Sequence, residues 1–237
     1  MSKNFGGIKA VNNVSFEVVT GEHLGVIGPN GAGKTTLFNL ISGNLSTDQG
    51  EVIYQGKNIT NKPARKRSLA GISRTFQTSQ LFLELTVLEN LFLAANKNQN
   101  TYNLFTPWRK DEDAIERSIE IAEKLGLENF LQVKAKELAH GKRRLLGIGQ
   151  ALVAGANLLM LDEPAAGLPS QEREEISELI KELTKNVTLI IIDHDMDIIF
   201  DIADRVLVLD EGKILAIDTP EAIKENEEVQ KIYVGGE

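Results

Sequence analysis

Apolar positions along this chain come in two rhythms. Three short runs are almost continuously apolar: Leu24-Gly25-Val26-Ile27, Leu158-Leu159-Met160-Leu161 and Val187–Ile192. Runs of that length, bounded by turn signals, fit strands of a parallel sheet covered on both faces. Gly71–Phe76 reads as one further strand. Around them the spacing turns helical. Leu37–Gly43 predicts a helix stopped by Gly43, Ser170–Thr184 an acid-rich amphipathic helix with Ser170 as N-cap, and Asp195–Ala203 a short helix. Period-2 alternation marks Val14-Ser15-Phe16-Glu17-Val18 as a strand. Glu51–Tyr54 and Asn58–Thr60 flank a turn at Gln55-Gly56-Lys57 and read as a hairpin, as do Val206–Leu209 and Ile214–Ile217 around Asp210–Lys213. Thr219-Pro220 opens a last helix expected to run to about Tyr233.

The middle of the chain changes character. Thr86-Val87-Leu88-Glu89 is a capping box that opens a helix to about Ala95. An Asn-rich loop comes next, at Asn96–Asn103. Asp111–Leu125 places Ile115, Ile119, Ala122 and Leu125 on one helical face, with Gly126 as its stop, and Gly141–Gly155 predicts another helix. Residues 80–155 thus read as a helical block set into an α/β chain.

Composition narrows the classes. At 237 residues the chain can hold one large α/β domain, or one domain with a subdomain. No apolar run approaches the roughly 18–20 residues of a membrane helix. Met1–Phe5 has no signal-peptide core. The expectation is a chain that works inside the cell and meets a membrane only through a partner. The absence of cysteine excludes disulfides, thiolate nucleophiles and Cys-based zinc sites. A formal net charge of −8 argues against nucleic acid as a partner. The one basic run, Lys62–Arg67, reads as a solvated loop or helix start.

Against that background one motif dominates. Gly28-Pro29-Asn30-Gly31-Ala32-Gly33-Lys34-Thr35-Thr36 fits G-x-x-x-x-G-K-[ST], between an expected strand and an expected helix. Glycines let backbone N–H groups turn inward around phosphate oxygens, and the helix N-terminus adds its positive end. Lys34 would reach the outer phosphates and the Thr35 hydroxyl would ligate Mg2+. Asp162 and Glu163 come directly after the run Leu158–Leu161, at the sheet edge where α/β proteins bind ligands. One carboxylate can hold the Mg2+ shell, the other can orient or deprotonate a water. His194 ends a neighbouring strand at the same edge, where an imidazole can bond the γ-phosphate or the water. Gln77 ends Gly71–Phe76, and its carboxamide can both accept from a metal-bound water and donate to the nucleophile. His23 lies inside a strand and reads as a satisfied core residue.

Taken together, order and spacing over nearly the whole chain resemble an ATP-binding-cassette (ABC) protein. Gln77, in Arg74-Thr75-Phe76-Gln77, falls at the family's Q-loop glutamine, and Leu138-Ala139-His140-Gly141-Lys142 falls at its signature. Asp162 and Glu163 fall at the Walker B aspartate and catalytic glutamate, His194 at the switch histidine, and Phe5 at the aromatic that stacks on adenine. Arg74–Gln77, Glu163–Gly167, Asp193–Asp197 and the ending Ile232-Tyr233-Val234-Gly235 look like the ATPases of branched-chain amino-acid importers. Lipopolysaccharide-export and urea-import ATPases share much of this. The resemblance implies a P-loop (RecA-like) parallel-sheet core, an antiparallel β part at about 1–24 and 50–75, a helical subdomain at about 80–155 and a C-terminal helix at about 219–234. It also implies ATP and Mg2+, with Thr35, Gln77 and Asp162 at the metal. Two cassettes would close head to tail, each signature acting on the other chain's ATP, on the cytoplasmic face of a membrane permease fed by a binding protein.

Three departures stand out. Ala139 lacks the usual signature serine hydroxyl, His140 replaces a glycine and Lys142 a glutamine. Pro169 stands where many members carry aspartate. Only four residues precede Phe5, so the family's first strand is expected to be absent here, or to lie upstream. Since the altered signature serves the partner's nucleotide while the P-loop side is intact, the expectation is a heterodimer with unequal sites.

Overall fold

The computed structural model describes residues 1–75, 81–96 and 111–234. Its centre is a six-stranded sheet, ordered β10-β9-β3-β8-β7-β6. These strands are β3 (His23–Ile27), β6 (Ile72–Arg74), β7 (Leu158–Asp162), β8 (Thr188–Ile192), β9 (Arg205–Asp210) and β10 (Lys213–Asp218). All neighbours pair in parallel except β9 and β10, which form the expected hairpin.

Because the sheet is covered on both faces, its strands bury residues of both parities. Leu159, Leu161, Leu189, Ile191, Val206 and Val208 pack on one side against α6 (Ser170–Thr184) and α7 (Met196–Ile202). Leu158, Met160, Ile190, Ile192, Leu24 and Val26 pack on the other against Leu37, Phe38, Leu40 and Ile41 of α1 (Lys34–Ser42). A third cluster holds the helical block together: Val87 and Leu91 of α3 (Val87–Ala95), Ala122 of α4 (Glu112–Lys124), and Leu146 and Val153 of α5 (His140–Val153). Thr86 caps α3 in the predicted box, its hydroxyl accepting from Glu89 N–H and the Glu89 carboxylate from Thr86 N–H.

Two small hairpins make up the antiparallel part: β1 (Lys3–Phe5) with β2 (Ile8–Val11), and β4 (Ile53–Tyr54) with β5 (Lys57–Asn58). A strand carrying Phe5 is therefore present. Val14–Val18, by contrast, forms no ladder. Val14 is buried and Phe16 and Val18 pack on the core, so the alternation predicted burial correctly. Val14 instead pairs with the first residue, its N–H donating to Met1 O at 3.0 Å and its O accepting from the Met1 ammonium at 2.6 Å, while β4 and β5 pair with each other.

Other expectations shift by a few residues. Ala114, Ser118 and Ala122 form the buried stripe of α4, while Ile115 and Ile119 are only half-buried. The small residues let α4 sit close to its neighbours, and Ser118 Oγ donates to Ala114 O at 2.7 Å. Pro169, not Ser170, is the N-cap of α6, and the Ser170 hydroxyl instead accepts from Arg173. The last helix is two, α8 (Pro220–Glu225) and α9 (Glu227–Val234), because Asn226 leaves helical geometry and its Oδ1 accepts from Glu228 and Val229 N–H to cap the second. The basic run is not wholly solvated. It forms α2 (Ala64–Leu69), and Arg67, 2% exposed, donates to Leu40 O, Ile41 O, Thr60 O and Lys62 O. It thereby satisfies carbonyls at the C-terminus of α1, which no intrahelical N–H can reach.

Candidate functional site

Register brings the chemical residues together. Ile192 of β8 lies beside Val26 of β3 and beside Asp162 of β7, so three parallel strands end side by side. The residues at and just past those three strand ends therefore share one sheet edge: the loop from Gly28, the pair Asp162 and Glu163, and Asp193 with His194.

The loop Gly28–Gly33 is shaped by close backbone approaches. Gly28 has φ 150°, and a Cβ there would meet Leu209 O at 2.1 Å. Gly33 has φ 103° and ends the loop as the N-cap of α1, where a Cβ would meet Ala10 O at 2.2 Å. Neither position accepts a side chain. The second contact also seats the β1–β2 hairpin, with the half-exposed Phe5 ring, against the loop. Thr35 is exposed and Thr36 half-buried at the start of α1, where the first N–H groups have no intrahelical acceptor. Asn30 and Gly31 form the exposed tip, between half-buried Pro29 and buried Ala32.

Lys34 Nζ donates to Gly28 O at 2.5 Å and Pro29 O at 2.9 Å. Burial pulls its pKa below the usual lysine value, with Glu163 and then Asp162 opposing. The P-loop lysine and both carboxylates therefore share one electrostatic neighbourhood. Asp162 accepts from Arg74 Nη2 at 2.7 Å. Glu163 takes φ 50°, held by its N–H donating to Ile192 O at 2.7 Å. That turn aims its carboxylate along the edge, with Oε1 3.8 Å from His194 Nδ1. His194 is 63% exposed and also stands 3.4 Å from Asp193 Oδ1.

Residues 138–142 lie elsewhere. Leu138 is buried, Ala139 and His140 are exposed at the start of α5, and Gly141 and Lys142 are half-buried. No hydrogen bond or ion pair among the described residues joins them to Gly28–Thr36. Ala139 is the N-cap of α5 and supplies no side-chain cap. Gln77 lies outside the described residues. His23 is buried in the core as expected, its ring nitrogens facing Ile202 O at 3.3 Å and Thr184 O at 3.0 Å, of which a neutral ring donates to one.

Three polar side chains at this edge had no role assigned from sequence. Arg144 Nη1 donates to Pro164 O at 2.9 Å and Ala166 O at 2.8 Å, tying α5 to the loop after Glu163. Asp193 is 2% exposed, and its Oδ2 is buried without a hydrogen-bond partner. Arg74 is the third. The signal in its case was a charged residue inside a buried strand. At the far end of the chain, burial pushes the Tyr233 pKa up to about 12, with the Gly28 N–H opposing, so α9 closes against the start of the loop.

The donor set suits a hard divalent cation. Thr35 and Asp162 offer oxygens only, and among the described residues no group of three or more His, Asp or Glu is placed to hold a metal ion by itself. Mg2+ is commonly held by one or two protein oxygens, with water and phosphate completing its shell.

Comparisons with known proteins point to one family and one fold. The family model for ABC transporters matches residues 11–166. The chain is 40% identical over 240 residues to the high-affinity branched-chain amino acid transport ATP-binding protein LivG of Escherichia coli (strain K12), covering 98% of this chain and 94% of that one. Its fold superposes on the ADP conformation of MJ1267, an ATP-binding cassette of an ABC transporter, with a TM-score of 0.87 and 36% identity over 99% of this chain and 96% of that one. It also matches the ATP-binding cassette MJ0796, whose dimeric post-hydrolysis state holds ADP and Pi, with a TM-score of 0.76 and 25% identity over 92% and 95% of the two chains.

Proposed function

The chain belongs to the ABC transporter family of ATPases, and from that premise we propose that it is the ATP-hydrolysing motor subunit of an importer for branched-chain or related amino acids. The observation that carries hydrolysis is the convergence of the Lys34 loop, Asp162, Glu163 and His194 at one sheet edge. The substrate class is taken from LivG, which is named for branched-chain amino acid transport.

In this reading the N–H groups of Gly31–Thr36 and the Lys34 ammonium hold the β- and γ-phosphates, and Phe5 stacks on the adenine. Thr35 and Asp162, with Gln77, would hold Mg2+, which would supply positive charge to offset the charge developing on the phosphates. Glu163 orients the attacking water and takes its proton as oxygen joins the γ-phosphorus. The bond to the β–γ bridging oxygen breaks, leaving ADP and phosphate. His194 fixes the γ-phosphate and the water from the other side. Donors placed where charge develops supply most of the rate.

Residues 138–142 lie away from this chain's own loop, which supports a second cassette as the source of the lid. None of the described helices is long and apolar enough to cross a membrane. Attachment to a membrane therefore falls to permease subunits, through the helical subdomain at 80–155. The hydroxyl missing at Ala139, which would serve the other chain's γ-phosphate, favours a second, different cassette over an identical copy.

Glu163→Gln is the direct test. It should bind ATP, stop releasing phosphate and accumulate an ATP-bound dimer on size exclusion. Unchanged turnover would remove Glu163 from the reaction.

A further inference from the structure

The side chain of Arg74, 6% exposed, sits beneath the sheet edge and bonds to two elements at once. Nη2 donates to Asp162 Oδ2 at 2.7 Å on β7. Nη1 donates to Asn39 Oδ1 at 2.6 Å and Ser42 Oγ at 3.4 Å on α1. The guanidinium lies over the Phe38 ring, 5.5 Å from its centroid. A planar fork is needed for this, since a lysine ammonium is a point charge on a flexible stem. The contact takes one carboxylate oxygen only. Among the described residues, Oδ1 of Asp162 accepts no hydrogen bond.

Asp162 is therefore the carboxylate proposed above for the Mg2+ shell, and it already carries a buried cation as a permanent partner. Lys34 faces it from the loop side. Two lysine or arginine charges thus converge on one aspartate.

We propose that Arg74 is a positioning residue that acts as a built-in counter-cation: it holds Asp162 through Oδ2 and keeps the affinity of that carboxylate for Mg2+ low. The inference rests on the assignment of Asp162 to the metal. Two effects of Arg74 on a bound cation oppose each other. Its hydrogen bonds fix the carboxylate, which favours binding. Its positive charge, in a half-buried site where screening by water is weak, disfavours a second cation on the same carboxylate. The charge effect is the larger, because a divalent ion doubles the repulsion while only one rotamer is being fixed. A motor that must discharge its product after each cycle gains from a metal site that does not hold too tightly.

The test separates charge from geometry. Mn2+ binding to the full chain with ADP is titrated by electron paramagnetic resonance for wild type, Arg74→Met, Arg74→Gln, Arg74→Lys and Asp162→Asn, each first checked by thermal melting. The expected result is tighter Mn2+ binding, by about tenfold, in the neutral Met and Gln variants. Arg74→Lys keeps the charge but loses the fork, and should bind Mn2+ as wild type does or more weakly. A strut without an electrostatic role predicts weaker binding in all three, which a merely structural residue would also give. Unchanged or weaker binding in both neutral variants overturns the proposal, and the Gln variant serves if Met does not fold. Asp162→Asn tests the underlying assignment separately. If it leaves Mn2+ binding unchanged, Asp162 is not at the metal and both readings fall.

Discussion

The ammonium of Lys142 lies 4.6 Å from the centroid of the Phe130 ring, so this lysine is held by an aromatic of its own helical block. A cation over an aromatic face is worth about 0.5–1 kcal/mol at an exposed site. Lys142→Met and Phe130→Leu should therefore not add. In a double-mutant cycle by urea denaturation, the coupling should be about 0.5–1 kcal/mol. A coupling near zero would mean that the lysine is free to reach across a dimer interface instead.

Arg144 fixes the loop after Glu163 through Pro164 O and Ala166 O. Burial lowers its pKa, with the nearby Asp193 and Glu163 carboxylates opposing, so its positive charge stands close to both. Arg144→Met should let that loop drift while leaving the Lys34 loop intact. The expected outcome is a fall in kcat of about ten- to a hundredfold with little change in ATP affinity, since small misplacements near a reacting centre cost that much. Steady-state turnover and nucleotide binding, measured on the same preparation, decide it. A loss confined to affinity would place Arg144 on the nucleotide.

Asp193 gives a pH-dependent signature. Burial raises its pKa, while the Asp195 N–H, His194 and the Ala165 N–H pull it down and Glu163 pushes it up slightly. A carboxyl raised in the folded state subtracts stability above its folded pKa. That penalty fades as pH falls through the folded value and is gone below the ordinary value of 3.8. Asp193→Asn keeps the acceptor for Asp195 N–H, which donates to Oδ1 at 3.0 Å. It should melt a few degrees higher than wild type at pH 7, with the gain shrinking toward pH 4. A gain that grows on acidification would reverse the assignment.

Local signals were legible and long-range ones were not. The capping box at Thr86 and the loop Gly28–Thr36 are written within a few consecutive residues. The three apolar runs declared a doubly covered sheet, and their register carried Asp162, Glu163 and His194 to one edge. The buried face of α4 is hidden in the sequence because Ala114 and Ser118 look bland, although small residues are what a close helix contact needs. The break at Asn226 was hidden in an acid-rich stretch. Arg67, Arg74 and Arg144 each act on atoms distant in sequence, so nothing beside them marks the partner. Val14–Val18 shows that alternation specifies burial and leaves the ladder to the neighbours.

Arg67 is a buried structural cation within a run that reads as a solvated loop or helix start. It donates to four carbonyls on and beside α1. Burial lowers its pKa, yet arginine stays charged at any ordinary pH. Arg67→Met would leave Leu40 O and Ile41 O without a donor in a buried site. Each such loss costs about 1–3 kcal/mol, partly relieved by water. The expected destabilisation is about 3 kcal/mol in urea unfolding, with the m-value unchanged. A change below about 0.5 kcal/mol would return Arg67 to the solvated class.

Ala139→Ser tests two roles of one hydroxyl separately. Ala139 is the N-cap of α5 at φ −59° and ψ 157°, with no side-chain cap. Serine fits that backbone, and its oxygen can accept from the first turn. As a cap it should stabilise the isolated chain by about 1 kcal/mol. As part of the lid on another chain's ATP, it should restore a hydrogen bond to a charged acceptor, worth about 1.5–3 kcal/mol. The cap is seen in monomer unfolding. The lid is seen only in ATP-driven dimerisation, which should strengthen in the homodimer of the Glu163→Gln background. If the proposed heterodimer is correct, the wild-type chain alone turns over slowly and a cognate second cassette restores the rate. Ala139→Ser should then raise the rate of the lone chain more than that of the pair. A wild-type homodimer that already turns over at the rate of the pair, and gains nothing from the hydroxyl, would show that two copies of this chain close the site without it.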